Sequence, residues 1–183
     1  DVAVRSRAQR WPEVIRLLTP VVNDSALDPG YAHAVRIALG VALARLGMFA
    51  PALSYLDDPA GPVSVAAVDG GLAKALVLRA CGEEESAAEV LQELYAANPD
   101  NEQVELALSD PTFGIATTTA ARIEARSDAW DPATEPGAEE FVDPDSRERK
   151  AALLEQAERE LGEFIGLDEV KNQVARLKSS VAM

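Results

Sequence analysis

The residues of this chain that could do chemistry are few, and their types point to recognition. The single histidine, His33, has no second histidine or cysteine partner, so neither a metal set nor a nucleophile pair can be built around it. It reads as a packed or solvated residue early in a helix. Cys81, the single cysteine, reads as a small packing residue near a helix end and allows no internal disulfide. No glycine is followed by lysine, so the phosphate-cradling pattern G-x-x-x-x-G-K-S/T is absent. The expectation is therefore a fragment that catalyses nothing and holds neither cofactor nor metal. What remains is a pair of guanidiniums among apolar side chains: Arg45 with Ile37 and Val41, and Arg79 with Leu72 and Leu76. A groove lined this way suits an amphipathic helix or helical hairpin carrying an acidic residue. It suits a free C-terminal carboxylate less, because Ile37 and Val41 stand where a carboxylate clamp would want lysine and asparagine.

Those six residues share a face only if the elements bearing them repeat. The pattern Leu39-Gly40, Leu43, Gly47, Phe49, Ala52, Leu56, slid forward by 35 residues, lands on Lys74-Ala75, Leu78, Gly82, Glu84, Ala87, Leu91. Small, large, glycine, small and large recur in register, with Lys74 and Glu84 departing. This is the pattern of tetratricopeptide helical hairpins, in which each helix-turn-helix packs on the next. Gly40 and Ala75 are small where two helices cross, Ala52 and Ala87 answer them on the second helix, and Gly47 and Gly82 suit a left-handed cap. An earlier unit is visible in part, with a first helix from Val2 to Gln9 and Trp11 at the place of Phe49. In such hairpins the first helices line the inner groove. The chain's own helix after Thr119, or the one after Pro144, is an alternative occupant of it.

The remaining signals divide the chain. Asp28 caps and Pro29 opens a helix running to Leu46. Asn101 caps a short helix that Asp110-Pro111 ends, Phe113 to Ala116 reads as extended, and Thr117-Thr118-Thr119 offer capping hydroxyls for a helix to about Arg126. Eight acids then appear between Asp128 and Glu148, interleaved with Pro132, Pro136 and Pro144. That composition predicts an extended linker, with Trp130 and Phe141 as points where it is pinned. A helix follows to about Gly162. Gly166 breaks it and Asp168 caps another, whose stripe of Val170, Val174, Leu177 and Val181 calls for a partner surface. The expected organisation is an all-α helical-hairpin repeat domain, an α-solenoid, over 1–127, a linker over 128–145, and over 146–183 the entrance to a further domain. A chain opening on Asp1 and stopping after such a stripe reads as a piece of a longer one.

Composition narrows the partners. The net charge of −14 repels phosphate backbones, and the basic residues do not cluster, which argues against nucleic acid. Apolar stretches are broken by Arg, Asp or Pro too soon to span a bilayer, so no membrane insertion is expected.

With the repeats, the segment from Thr117 to Pro132 and the entrance Ile165-Gly166-Leu167-Asp168-Glu169-Val170 in hand, the chain resembles the EccA family of AAA+ ATPases of type VII (ESX) secretion systems. Within that family it most resembles the paralogue of the ESX system linked to iron acquisition. The resemblance implies a cytoplasmic protein whose tetratricopeptide-like N-terminal domain leads by a linker into a hexamer-forming AAA+ domain that takes ATP and Mg. It implies that Ile165, Gly166 and Leu167 lie beside a nucleotide in the parent, a role latent here without the Walker motifs. As partners it implies secreted helical-hairpin proteins or their chaperone complexes, together with the chain's own AAA+ domain. The alternative it leaves is a domain that regulates or assembles the hexamer without binding cargo.

Overall fold

A computed structural model describes residues 1–139 and 141, apart from Pro62. It divides into two units, Asp1–Ala138 and Glu139–Met183. The expected helices of 146–183, with Ile165, Gly166, Leu167 and the Val170 stripe, lie outside the described residues.

The described residues form helices and no strands. In order they are α1 (Val2–Arg7), α2 (Trp11–Leu18), α3 (Pro29–Arg45), α4 (Phe49–Leu56), α5 (Ser64–Ala80), α6 (Glu84–Ala97), α7 (Glu102–Ser109), α8 (Ala120–Glu124) and a 3-10 turn, Pro132–Thr134. They pair as hairpins α1–α2, α3–α4 and α5–α6, and α3 packs on both α2 and α5. This is the stacking that the 35-residue register predicts.

The register shows most clearly where each first helix stops. The amide of Gly47 bonds the carbonyl of Ala44 at 3.0 Å, and Met48 reaches back to Leu43 at 3.0 Å. In the next hairpin Gly82 bonds Arg79 at 3.0 Å and Glu83 bonds Leu78 at 2.9 Å. Both are Schellman ends, with the glycines at φ +72° and +83°. The first hairpin ends the same way: Gln9 bonds Ser6 at 3.0 Å and Arg10 bonds Arg5 at 2.9 Å, with Gln9 at φ 53°. The left-handed residue at position 9 closes α1 at Arg7, two residues before the expected end.

The small residues sit at the crossings. A Cβ placed on Gly40 would stand 2.8 Å from Leu56, so α3 and α4 approach each other as closely as a missing side chain allows. Ala52, Leu56, Ala75, Ala87 and Leu91 are fully buried. The two departures from the template have local reasons. Lys74 donates to the carbonyl of Asp57, at the open end of α4, and Glu84 pairs with Arg79 at 2.9 Å. Both substitutions exchange a core contact for a polar bond at a helix terminus.

After α7 the repeat fails. Asp110 ends the helix in extended backbone, and the chain turns back across the first helices instead of completing a hairpin. Residues 113–118 run as an extended strap. Only then does α8 form, capped by Thr119, whose hydroxyl accepts the Arg122 amide at 3.2 Å. It is shorter than the expected run to Arg126, because Arg126 is drawn inward to α1.

Candidate functional site

The strap decides what the inner face offers. Its alternate residues Phe113 and Ile115 pack against the cluster of Ala75, Leu76, Leu91 and Ala107, and Ile115 touches the larger core around Val35 and Val77 as well. Gly114, Ala116 and Thr117 face solvent. This is the period-two alternation of an extended chain lying on an apolar bed. Two arginines fasten it. Arg79 donates to the carbonyls of Ala107 at 3.1 Å, Phe113 at 2.9 Å and Asp110 at 3.4 Å. Arg45 donates to Ala116 at 3.4 Å, and its own carbonyl accepts the Thr118 amide at 2.9 Å.

Of the six residues expected to line a partner groove, Val41, Arg45, Leu72 and Leu76 meet at one cleft of about 370 Å³, bounded on its outer side by Phe113 to Ala116. Arg79 sits at the strap's root, occupied by three carbonyls and Glu84. Ile37 does not line the groove. It is 2% exposed and lies under the backbone of α5, where a Cβ on Gly70 would come within 2.9 Å of it. The close crossing of α3 and α5 turns that position into core. Among the described residues the stretch just before α8, and not α8 itself, lies across the groove.

Trp11, which the register places at the position of Phe49, completes the cleft wall together with Asp69 and Gln103, which the periodicity did not mark. Burial draws the Arg45 guanidinium below its ordinary pKa, against the favourable charge of Asp69. Burial pushes the Asp69 carboxyl up, against the pull of Arg45. The two make no direct salt bridge among the described residues, so each presents charge to the cleft. Trp11 and Arg45 are shared with a second cleft of about 290 Å³ that continues past Thr117 and Thr118 to Arg122 and Glu135.

Glu135 is the hub that closes this end. It accepts from the Thr118 hydroxyl, pairs with Arg122 at 3.1 Å and with Arg126 at 2.6 Å, and is 11% exposed. Burial alone would raise its pKa, but the hydrogen bonds from Thr118 and Arg126 and the charges of Arg122 and Arg126 outweigh it and hold the carboxyl below its usual range. The Arg126 side chain, fully buried, donates to the carbonyl of Ala8 at 2.6 Å and to that of Gln9 at 3.4 Å. It thereby serves the end of α1, whose last carbonyls have no helical partner. Trp130 lies 5.9 Å and 5.5 Å from the guanidiniums of Arg5 and Arg10, and Arg10 donates to Ala129 at 2.8 Å. Residues 128–138, expected as an extended linker, are thus held to the first hairpin by charge and stacking. Phe141 belongs to the second unit.

His33 is buried, its Nδ1 3.3 Å from Arg36, and its Nε2 has no partner among the described residues. Among those residues no group of three His, Cys, Asp or Glu could hold a metal ion. None of their helices is long and apolar enough to cross a membrane.

Stacked helical hairpins with small residues at the crossings and a populated inner groove define a tetratricopeptide-like repeat domain. Residues 1–136 match the family described as "T7SS, ESX-1 secretion system protein EccA1, N-terminal domain". ESX-3 secretion system protein EccA3 of Mycobacterium leprae is 73% identical over 180 residues, covering 98% of this chain and 28% of that protein. EccA3 of Mycobacterium tuberculosis is 72% identical over 182 residues, covering 100% of this chain and 29% of the relative. ESX-1 secretion system protein EccA1 of M. leprae is 36% identical over 184 residues, covering 98% of this chain and 30% of that protein. The crystal structure of the N-terminal domain of EccA1 ATPase from M. tuberculosis superposes with TM-score 0.66 at 31% identity, over 74% of this chain and 49% of that one. The chain belongs to the EccA family of ESX, or type VII, secretion-system proteins, and matches the N-terminal domain. It spans less than a third of the length of the relatives it matches.

Proposed function

We propose that this chain is a protein-interaction domain at the N-terminal end of a type VII secretion AAA+ ATPase, and that it binds helical secreted substrates or their chaperone complexes. The observation that carries this reading is the inner face itself, where a cleft of about 370 Å³ joins apolar Val41, Leu72 and Leu76 to the charges of Arg45 and Asp69. Helical-hairpin repeats recognise protein segments through such faces. In this reading the parent is a cytoplasmic hexamer that takes ATP and Mg through a domain beyond this one. Calorimetric titration of the chain with purified secreted ESX pairs tests it. Binding is expected to weaken at least about tenfold on Arg45→Glu, a loss of about 1.4 kcal/mol, and to survive Glu93→Gln on α6.

One observation favours a second reading, in which the domain regulates or assembles the ATPase without touching cargo: the chain's own strap lies across the groove, held by Arg45 and Arg79. Absence of binding by every secreted pair, with ATP turnover of the full parent altered by deleting this domain, would decide for that reading.

A further inference from the structure

We infer that the groove between α3 and α5 is a site for an extended apolar peptide segment of a protein partner, with two bulky side chains spaced two residues apart, and that the strap is its resident occupant, displaced when the partner binds. This deepens the interaction reading above by placing the contact in an extended segment outside the partner's helices, and rests on that reading for the partner's identity, though not for the site.

Three observations lead there. The strap is seated as a bound peptide is seated: Phe113 and Ile115 enter apolar ground, and Arg79 and Arg45 grip the main-chain carbonyls of Phe113 and Ala116. A grip on backbone carbonyls reads an extended chain and not the side chains it carries. Next, the strap covers only part of its bed: a cleft of about 370 Å³ stays open between the strap, Leu72, Ala73 and Leu76. A partner side chain directed toward Leu72 and Leu76 has room there. Finally, the strap is loosely tied along its middle. Among the described residues no acceptor receives the amides of Gly114, Ile115, Ala116 or Thr117, while the amides on either side, of Phe113 and Thr118, are bonded. Between the Phe113 carbonyl and the Thr118 amide the one hydrogen bond among the described residues is the 3.4 Å bond that the Ala116 carbonyl accepts from Arg45, so the centre can lift at the cost of a single long bond. Asp69 and Arg45, unpaired with each other, give the incoming segment a polar contact beside the apolar ones.

The test uses a labelled peptide with the sequence of Thr112 to Thr119 as probe and fluorescence anisotropy as readout. Against the native chain it is expected to bind weakly, because the strap competes at high effective concentration. Against a chain carrying Phe113→Gly and Ile115→Gly it is expected to bind at least about tenfold more tightly, and adding Leu76→Glu to that chain is expected to abolish the gain. A folded double variant that binds the probe no better than the native chain overturns the proposal. Should the double variant fail to fold, methyl and aromatic NMR of the native chain decides. With excess peptide, Ile115 and Phe113 signals are expected to move saturably to free-chain positions, and unchanged signals at millimolar peptide overturn the proposal. Failure of the cargo reading leaves a different mark: the probe binds the strap-disabled chain while no secreted ESX pair does.

Discussion

Three residues occupy one structural position, and only two of them are glycine. Gly47 and Gly82 take the left-handed turn that ends α3 and α5, and Gln9 takes it at the end of α1. A Cβ in that region costs about 1–2 kcal/mol, offset in part by the extra freedom glycine has in the unfolded chain, about 0.5–1 kcal/mol. Gln9→Gly is therefore expected to stabilise by up to about 1 kcal/mol and to raise Tm by about 2–4 °C. The side chain of Gln9 makes no hydrogen bond among the described residues, and the carbonyl that Arg126 uses is kept. Gly82→Ala should move Tm the other way by a similar amount. Equal Tm values for the three proteins would remove the strain argument. Glu135 is the other residue whose environment sets a measurable quantity. Its folded-state pKa lies below the unfolded value, so the folded form binds fewer protons under mild acid. The stability it contributes is complete above the unfolded value, about 4.3, and is lost as pH falls through the lowered folded value. Urea unfolding of the native chain and of Glu135→Gln should differ by about 3 kcal/mol at pH 7, and the gap should narrow as pH falls below about 4.3. A constant gap across that range would show that the carboxylate's charge is not what the hub uses.

At the scale of elements, helix ends were legible and their tertiary partners were not. Asp28 was readable as a cap, and its carboxylate accepts the Gly30 amide at 2.9 Å and the Tyr31 amide at 3.4 Å, with Pro29 opening α3. Asp28→Ala is expected to cost about 1 kcal/mol, read as a lowered urea midpoint at unchanged m-value. A loss beyond about 2 kcal/mol would mean that Asp28 holds the preceding loop as well. The hairpins were legible for a similar reason: residues that share a helix face recur at fixed spacing, so Gly40, Ala52, Ala75 and Ala87 announce the crossings. Ile37 shows the limit. Periodicity places it on the same face as Val41, but whether that position lines a groove or lies beneath a neighbour depends on how closely α5 approaches, and Gly70, which permits the approach, carries no periodic mark. Phe113-Gly114-Ile115-Ala116 reads as extended from the sequence, and so it lies. Its seat was hidden, because nothing local to residues 113–118 encodes a bond to Arg45, about seventy positions upstream.

The whole molecule raises the question of where the folded unit ends. Composition argues for a boundary near residue 127, where acids and prolines set in, yet the first unit runs through Ala138. The reason lies in charge pairs that bind distant parts of the chain. Glu135 meets the fully buried Arg126, Arg126 meets the carbonyl of Ala8, and Trp130 stacks near Arg5 and Arg10. Glu135 could not be told from the other acids around it by sequence, since its arginines stand nine and thirteen residues away outside any common helix. A chain ending at residue 127 leaves the Arg126 guanidinium buried without its carboxylate, and breaking a buried pair in that way costs about 3–5 kcal/mol. Loss of two exposed cation–π contacts adds about 0.5–1 kcal/mol each. The chain of residues 1–127 is therefore expected to unfold at markedly lower urea than that of residues 1–138, and to lose protection from amide exchange first at α1 and α2, whose ends Arg126 and Ala129 serve. If residues 1–127 prove as stable as residues 1–138, the acidic segment is a linker from its first residue, and the contacts at Glu135 and Trp130 contribute nothing to folding.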